Sequence, residues 1–453
     1  MAATPASPAD SSTSEARSKA DLKRLRRVAS TSFMGTAMEW YDYFIYGLLA
    51  ALVFDELFFP SFDPEVGTVL ALLSFGIGFI ARPVGAILFG HLGDRIGRKN
   101  TLIVTLLVIG LSTGIIGLLP TFDTIGFAAP ILLTTLRFIQ GLSLGGEWSG
   151  AVLLAVEHAP AKKRAFYGAM PQYGSPAGTL VSSAVVTLVT LMPEDQLMSW
   201  GWRIPFLLSF VFLAVALYMR LRVEESPVFT DVVQTQVAEK AAKTNRKPLP
   251  VIEVFRHAWR SVLIVVITVL FASGGFFLMT TYAVNFGTAE LGMEPWKLLV
   301  ATMVGAVLEA IGIYIGARMG DRWGAAKTVI FGGVVALVLV IPIALMLGSG
   351  VEVLVIAAVA LGIGVLGIPY GPLGTMLSEL FSARYRYSGV AVSYNIGGLI
   401  GGFVPSIAAA LAIALNGSVI VIPLLLGAIM LLCVVGGLLA ARVLANQKET
   451  IAA

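Results

Sequence analysis

The octet GDRIGRKN at residues 93–100 returns as GDRWGAAK at 320–327, with Gly, Asp, Arg and Gly in register. Each copy follows the second long apolar run of its half of the chain. A second echo pairs EHAPAKKR (157–164) with ELFSARYR (379–386); each follows the fourth apolar run of its half and keeps Glu and Arg seven residues apart. The polar punctuation thus repeats while the apolar text between it drifts. Two related halves predict a pseudo-symmetric pair of bundles.

The apolar text sets the environment. Of 453 residues, 57% are hydrophobic and 13% charged, with mean hydropathy +0.87. A soluble domain carries about 25% charged residues, and a bilayer-spanning helix needs roughly 20 mostly apolar ones. Twelve such spans can be read, at about 30–56, 66–91, 100–120, 126–147, 166–191, 201–221, 260–287, 296–318, 326–347, 353–377, 388–413 and 418–443. The 48 glycines and 21 prolines fit membrane helices, where both are common. The single cysteine, Cys433, excludes an intrachain disulfide and reads as a small buried apolar side chain.

Charge then orients the spans. With both termini on the cytoplasmic side, 27 of the 31 Lys and Arg fall in the tails, in the loops of that side or at helix ends beside them, leaving Arg82, Arg137, Arg203 and Lys297. The opposite loops carry Asp55, Glu56, Asp63, Asp123, Glu194, Asp195, Glu290 and Glu294. Basic loops mark the cytoplasmic face. The net charge of +4 therefore reflects topology rather than a nucleic-acid partner. The expected organisation is a disordered cytoplasmic tail (1–29), a six-helix bundle (30–221), a cytoplasmic linker (222–259), a second six-helix bundle (260–443) and a short tail (444–453).

Several motifs carry a resemblance. GHLGDRIGRK (90–99) and RFIQG (137–141) are similar to signature segments of the major facilitator superfamily. GTAMEWYDYFIYG, GLSLGGEWSGAVLLAVEHAPAKKRAFYGAMPQYG and SWGWRIPF further resemble its metabolite:H+ symporter branch, which includes carriers for shikimate, 2-oxoglutarate, citrate and proline or betaine. The resemblance covers about 30–443 and is strongest in the first half. It implies the all-α major facilitator fold, a bacterial-type inner membrane, alternating access around a central cavity, and a functional monomer that needs no cofactor beyond the proton as coupling ion. The second loop copy, GDRWGAAK, lacks the Arg-Lys pair, so the first copy is expected to carry more of the gating electrostatics.

Five charged residues, Glu39, Asp42, Arg82, Arg137 and Glu309, stand deep inside spans. At 1.5 Å per residue, Glu39 lies about 13 Å and Asp42 about 18 Å into the first span. Arg137 lies about 16 Å from the outer end of the fourth, and Arg82 about 13 Å from the inner end of the second. Matched depth predicts Asp42 opposite Arg137 and Glu39 opposite Arg82. A carboxylate between an apolar wall and a movable arginine can bind and release a proton as that arginine comes and goes. Asp42, Glu39 and Arg137 are thus the expected proton-coupling residues, with a permanent, purely structural ion pair as the bland alternative. Glu309, twelve residues before its loop Asp as Arg82 is before Asp94, holds the equivalent place in the eighth span.

Polar and aromatic residues in spans mark a wet cavity, because unsatisfied groups are costly in lipid. Arg82, Arg137, Trp40, Tyr43, Tyr46, Gln172, Tyr173, Tyr282, Asn285, Glu309, Tyr370, Tyr394 and Asn395 are the candidate substrate contacts. The two arginines favour a small organic acid or zwitterion, a shikimate-like monocarboxylate slightly ahead. Gating is expected from Gly93, Asp94, Arg95, Gly97 and Arg98 with Glu147 and Glu157, and from Asp321 and Arg322 in the second copy. Asp94 is expected to accept backbone N–H groups at a helix start in the other half.

No nucleotide-binding loop occurs, and His91, His158 and His257 are far apart, so neither an enzyme nor an ATP-driven pump is expected. A proton-independent facilitator or an antiporter of organic acids stays open beside proton-coupled symport.

Overall fold

The computed structural model describes residues 33–96, 98–145, 147–221, 250–382 and 385–452. The tail at 1–29 and most of the linker at 222–259 lie outside the described residues. Helices account for nearly all of the rest, in twelve spans. These are α1 (33–58, interrupted at Val53), α2 (Pro64–Ile96), α3 (Arg98–Ile116), α4 (Ala128–Glu157), α5 (164–190), α6 (Arg203–Leu221), α7 (Trp259–Ala289), α8 (Pro295–Trp323), α9 (Ala325–Gly348), α10 (Glu352–Glu379), α11 (Arg386–Ala414) and α12 (Val421–Ala452).

Among the described residues, eight helices are long and apolar enough to cross a membrane, and a ninth if the pair bent by 42° before α6 counts as one. The others fall short for local reasons: α3 has a short apolar run, Ile103–Ile116, and α5 passes through a tight 3-10 turn at Met170–Tyr173. The fourth span also runs further than its sequence suggested, continuing to Glu157 rather than stopping near 147.

Glycine determines which helices touch inside each half. On α2, a Cβ at Gly85 would strike the carbonyl of Leu142, and one at Gly141 on α4 would strike the carbonyl of Gly78. On α8, a Cβ at Gly316 would strike the carbonyl of Ile368, and one at Gly367 on α10 would strike that of Glu309. Backbones in such contact gain dispersion and close approach that larger residues forbid, the usual adhesive between helices in lipid. The pairing α2–α4 in the first half is α8–α10 in the second. Gly78, Arg82 and Gly85 have the spacing of Gly305, Glu309 and Gly312, so the internal repeat is also a repeat of packing.

The halves meet along two seams, α2 against α11 and α5 against α8. On the first, Phe403 covers Gly76 and Phe79 covers Gly402. On the second, the hydroxyls of Ser183 and Thr302 lie 2.8 Å apart. α1 and α7 complete the interface: Trp40 and Phe44 stack among Phe276 and Phe277. There α7 contains two π-helical turns, Phe271–Gly275 and Leu278–Tyr282, a distortion frequent at functional sites.

Candidate functional site at the meeting of the two halves

Glu39, Asp42, Arg82, Arg137 and Glu309 are all buried. A buried charge costs several kcal/mol unless partners offset it, so its partners define its role.

Arg82 is engaged on every side. Its Nη2 donates to Glu39 Oε1 at 2.8 Å and its Nε to the Tyr43 hydroxyl at 3.0 Å. Its guanidinium also lies over the rings of Tyr43 and Phe79, at 4.7 and 4.9 Å. The pairing with Glu39 is the one that matched depth suggested.

Among the described residues Arg137 has no carboxylate partner. Its guanidinium lies over the rings of Tyr43, Tyr46 and Phe75 at 4.4, 4.4 and 4.9 Å. Each such contact is worth about 2 kcal/mol when desolvated. Nη1 donates to Gln140 Oε1 at 2.6 Å and Nε to the Phe75 carbonyl at 3.4 Å, while Nη2 has no hydrogen-bond partner. Asp42 turns elsewhere: its Oδ1 accepts the Ser209 hydroxyl at 2.8 Å, and its Oδ2 has no partner. The expected Asp42–Arg137 ion pair is therefore corrected for this conformation. Three aromatic faces and an amide hold the guanidinium, and the carboxylate is drawn to α6.

Tyr43 and Tyr46 are likewise not lining residues of an open cavity. They sit inside the first half beneath the arginines, and the Tyr46 hydroxyl is 2.8 Å from that of Ser74.

The groups that do cross between halves form a compact set. Ser175 on α5 donates to Glu309 Oε1 on α8 at 3.1 Å, and Glu309 Oε2 has no partner. Gln172 donates to the Tyr370 and Gly371 carbonyls of α10, leaving its own Oε1 unpartnered. The Tyr370 hydroxyl, near Tyr394, Glu309 and Glu39, also lacks a partner. Trp148 on α4 stacks on Tyr394 of α11 at 3.7 Å, and Asn395 donates to the Gly145 carbonyl at 2.7 Å. The indole N–H groups of Trp40 and Trp148 are unpartnered as well. Buried polar atoms are almost always paired, and five without a partner meet at this interface.

Other candidates lie apart from this set. Asn285 donates to the Ala51 carbonyl at 3.1 Å, tying α7 to α1, and Tyr282 lies near Glu290. Tyr173 is half-buried near Tyr314.

At the other end of the seam, Asp321 Oδ1 accepts the backbone N–H groups of Ala165 and Phe166, at 2.9 and 3.4 Å, at the start of α5 in the opposite half. This is the contact foreseen for Asp94, made by the second copy. Thr375 donates to the Arg164 carbonyl at 3.2 Å, and Arg386 pairs with Glu157 at 3.4 Å, so Glu157 finds its cation on α11. Arg322 is exposed. Gly97 lies outside the described residues, as do the side chains of Asp94, Arg95, Arg98 and Glu147 beside Gly93. Among the described residues the halves are in contact at both ends of the interface, through Asn285 and Ser183 at one and Asp321 and Thr375 at the other.

Reading charges alone missed Ser175 and Ser209, whose only signal was a hydroxyl in an apolar span, and passed over Gln140 inside the RFIQG segment.

Comparison with known proteins agrees with this architecture. A model of the Major Facilitator Superfamily matches residues 32–405. The inner membrane metabolite transport protein YhjE of Escherichia coli is 41% identical over 394 residues, covering 84% of this chain and 87% of that one. The shikimate transporter of the same organism is also 41% identical, over 86% and 88% of the two chains. The E. coli proline/betaine transporter is 33% identical over 86% and 78%. Among solved structures, a D-xylose–proton symporter superposes with TM-score 0.71 at 16% identity, covering 91% of this chain and 96% of that one.

Proposed function

Because the chain belongs to the Major Facilitator Superfamily and is a multi-pass membrane transporter, we propose that it takes up a small organic acid or zwitterion together with protons, by alternating access. The observation that carries the coupling is the pair of complementary orphans in the first half: Asp42 Oδ2, an acceptor, and Arg137 Nη2, a donor, buried in one network without touching. An unpaired carboxylate oxygen in a dry site is costly, and either a proton or a cation relieves it. Proton binding to Asp42 leaves Arg137 to its rings; return of Arg137 to Asp42 expels the proton. Rocking of one half against the other exchanges the two states.

The orphaned groups between the halves would receive the substrate. Arg82 would offer a cation to a carboxylate on letting go of Glu39, Tyr394 a ring face to an ammonium or apolar part, and Gln172, Glu309 and Tyr370 hydrogen-bonding atoms to carboxyl, hydroxyl or ammonium groups. The shikimate and proline/betaine transporters among the relatives support this class of substrate, a polar monoacid of modest size. In this reading both termini are cytoplasmic, the Asp321 contacts close the cytoplasmic side, the first half spans 30–221 and the second 260–443, and the carrier works as a monomer.

The test is the full chain in liposomes with a pH dye trapped inside and no imposed gradient. Shikimate, 2-oxoglutarate, citrate, proline and glycine betaine are added one at a time. Interior acidification by one of them, abolished in Asp42→Asn, is expected. Uptake of labelled compound with no pH change would sink proton coupling and leave a facilitator.

A further inference from the structure

Gln172, Glu309 and Tyr370 are 0%, 1% and 3% exposed, and each keeps a polar atom without a partner. The neighbours force what those atoms are. Carbonyl oxygens only accept, so the Gln172 amide must turn its NH2 to the Tyr370 and Gly371 carbonyls, and its free atom is the acceptor Oε1. Ser175 gives its hydrogen to Glu309 Oε1, and the free atom of that carboxylate, Oε2, is again an acceptor. Tyr370 adds a hydroxyl, which can donate or accept.

These groups converge on one turn of α10. Gln172 and Ser175, three residues apart, face one way. Gln172 binds the Tyr370 carbonyl, and three residues earlier a Cβ on Gly367 would strike the Glu309 carbonyl. Two acceptors from opposite halves thus stand over the same turn. Glu39 has Arg82 to offset its charge, but among the described residues no Lys or Arg pairs with Glu309. A carboxylate oxygen and an amide oxygen in a dry site are satisfied by a guest that brings hydrogens and positive charge together. An ammonium with N–H bonds brings both. A fully methylated one brings only the charge and is held by several ring faces instead. Such faces are partly spent here, Trp148 and Tyr394 on each other at 3.7 Å and Trp40 on Phe44 at 5.4 Å. A metal ion wants about six oxygens and finds three without partners, those of Gln172, Glu309 and Tyr370.

We propose that Glu309 and Gln172 form an acceptor subsite that reads the N–H bonds of a primary or secondary ammonium, so that the carrier takes amino acids bearing N–H and rejects their fully methylated counterparts. The proposal deepens the reading of the groups between the halves as the substrate site and rests on it. The ammonium sits between the two acceptors, with the Tyr370 hydroxyl beside it, and joins α5 of one half to α8 of the other. A guest without N–H leaves both acceptors buried and unpaired.

Isothermal titration of the full chain in nanodiscs tests this with three probes: proline, N,N-dimethylproline, which keeps ring and carboxylate but has no N–H, and shikimate, which has no ammonium. Proline is expected to bind at least about a hundredfold more tightly than N,N-dimethylproline, because a site built to hydrogen-bond a substrate N–H rejects the analogue that lacks it. Glu309→Met, similar in length and without an acceptor oxygen, should bring the two within about threefold of each other. Should that variant fail to fold, Glu309→Gln, which keeps a carbonyl and loses the charge, should weaken proline alone by about tenfold. Equal affinity for proline and N,N-dimethylproline in the wild type would overturn the subsite while leaving the substrate site between the halves. So would shikimate binding in place of proline, or sodium chloride competing with proline, which would give the acceptors to a hydroxyl or a metal ion. If none of the three probes binds, the substrate is of another class and both readings fall.

Discussion

α2 and α8 are the same helix twice, and they treat charge in opposite ways. Both press glycine backbones against a partner, α4 or α10, and both end in a Gly-Asp-Arg turn. Between matched glycines α2 carries Arg82 and α8 carries Glu309. Arg82 has an ion pair, a tyrosine hydroxyl and two ring faces. Glu309 has one serine from the other half and an oxygen with nothing. A duplicated scaffold thus fixes where a charge stands, while its neighbours decide whether that charge is settled or waiting. On α2 the charge is part of the packing; on α8, at the seam, one carboxylate oxygen stays unpaired.

The largest expected effect tests the settled side. Arg82→Leu strands Glu39 in a dry interior and should destabilise the protein by about 3–5 kcal/mol, the usual result of removing one partner of a buried pair. Thermal unfolding in detergent measures it. The double variant Glu39→Gln/Arg82→Met should recover most of that loss; no recovery would mean that Arg82 is held by its rings alone.

An intermediate effect concerns Asp321 at the inner end of α8. Asp321→Ala removes a charge-assisted acceptor from two N–H groups of the opposite half, worth about 1.5–3 kcal/mol. The balance between closed and open arrangements of this end should move by about tenfold or more. Distance distributions between spin labels on the adjoining ends of α5 and α8 would broaden toward longer values. Unchanged distributions would make the contact incidental.

The smallest effect tests the waiting side. Glu309→Gln keeps a carbonyl for Ser175 and removes only the capacity to ionise, so the melting temperature should correspond to a loss below about 1 kcal/mol. Transport, by contrast, should fall severalfold. A loss of stability as large as that of Arg82→Leu would erase the distinction between the two helices.

Much of this was legible before any coordinates. The repeated octet and the apolar runs sufficed for the fold, because every backbone polar group in lipid must be satisfied within its own helix. Depth was legible too, through the fixed rise per residue, and it paired Glu39 with Arg82. Azimuth was not. Glu39 and Asp42, three residues apart, face broadly one way on an isolated helix, yet one turns to α2 and the other to α6. That choice belongs to the order in which helices surround α1, which no local pattern encodes. Ser175 and Ser209 stayed hidden for another reason. A hydroxyl in a span usually bonds back to its own helix, so nothing marks the few that reach a different one.

The glycine contacts within each half have a mechanical consequence. Where backbone touches backbone there is no side chain to rotate out of the way, so α2 cannot slide on α4, nor α8 on α10, without a clash. The seams are different: an aromatic edge, a hydroxyl pair, an amide on a carbonyl, each able to let go singly. Such a body has a grain, like timber. It resists shear inside each half and is held between them by contacts that can break one at a time.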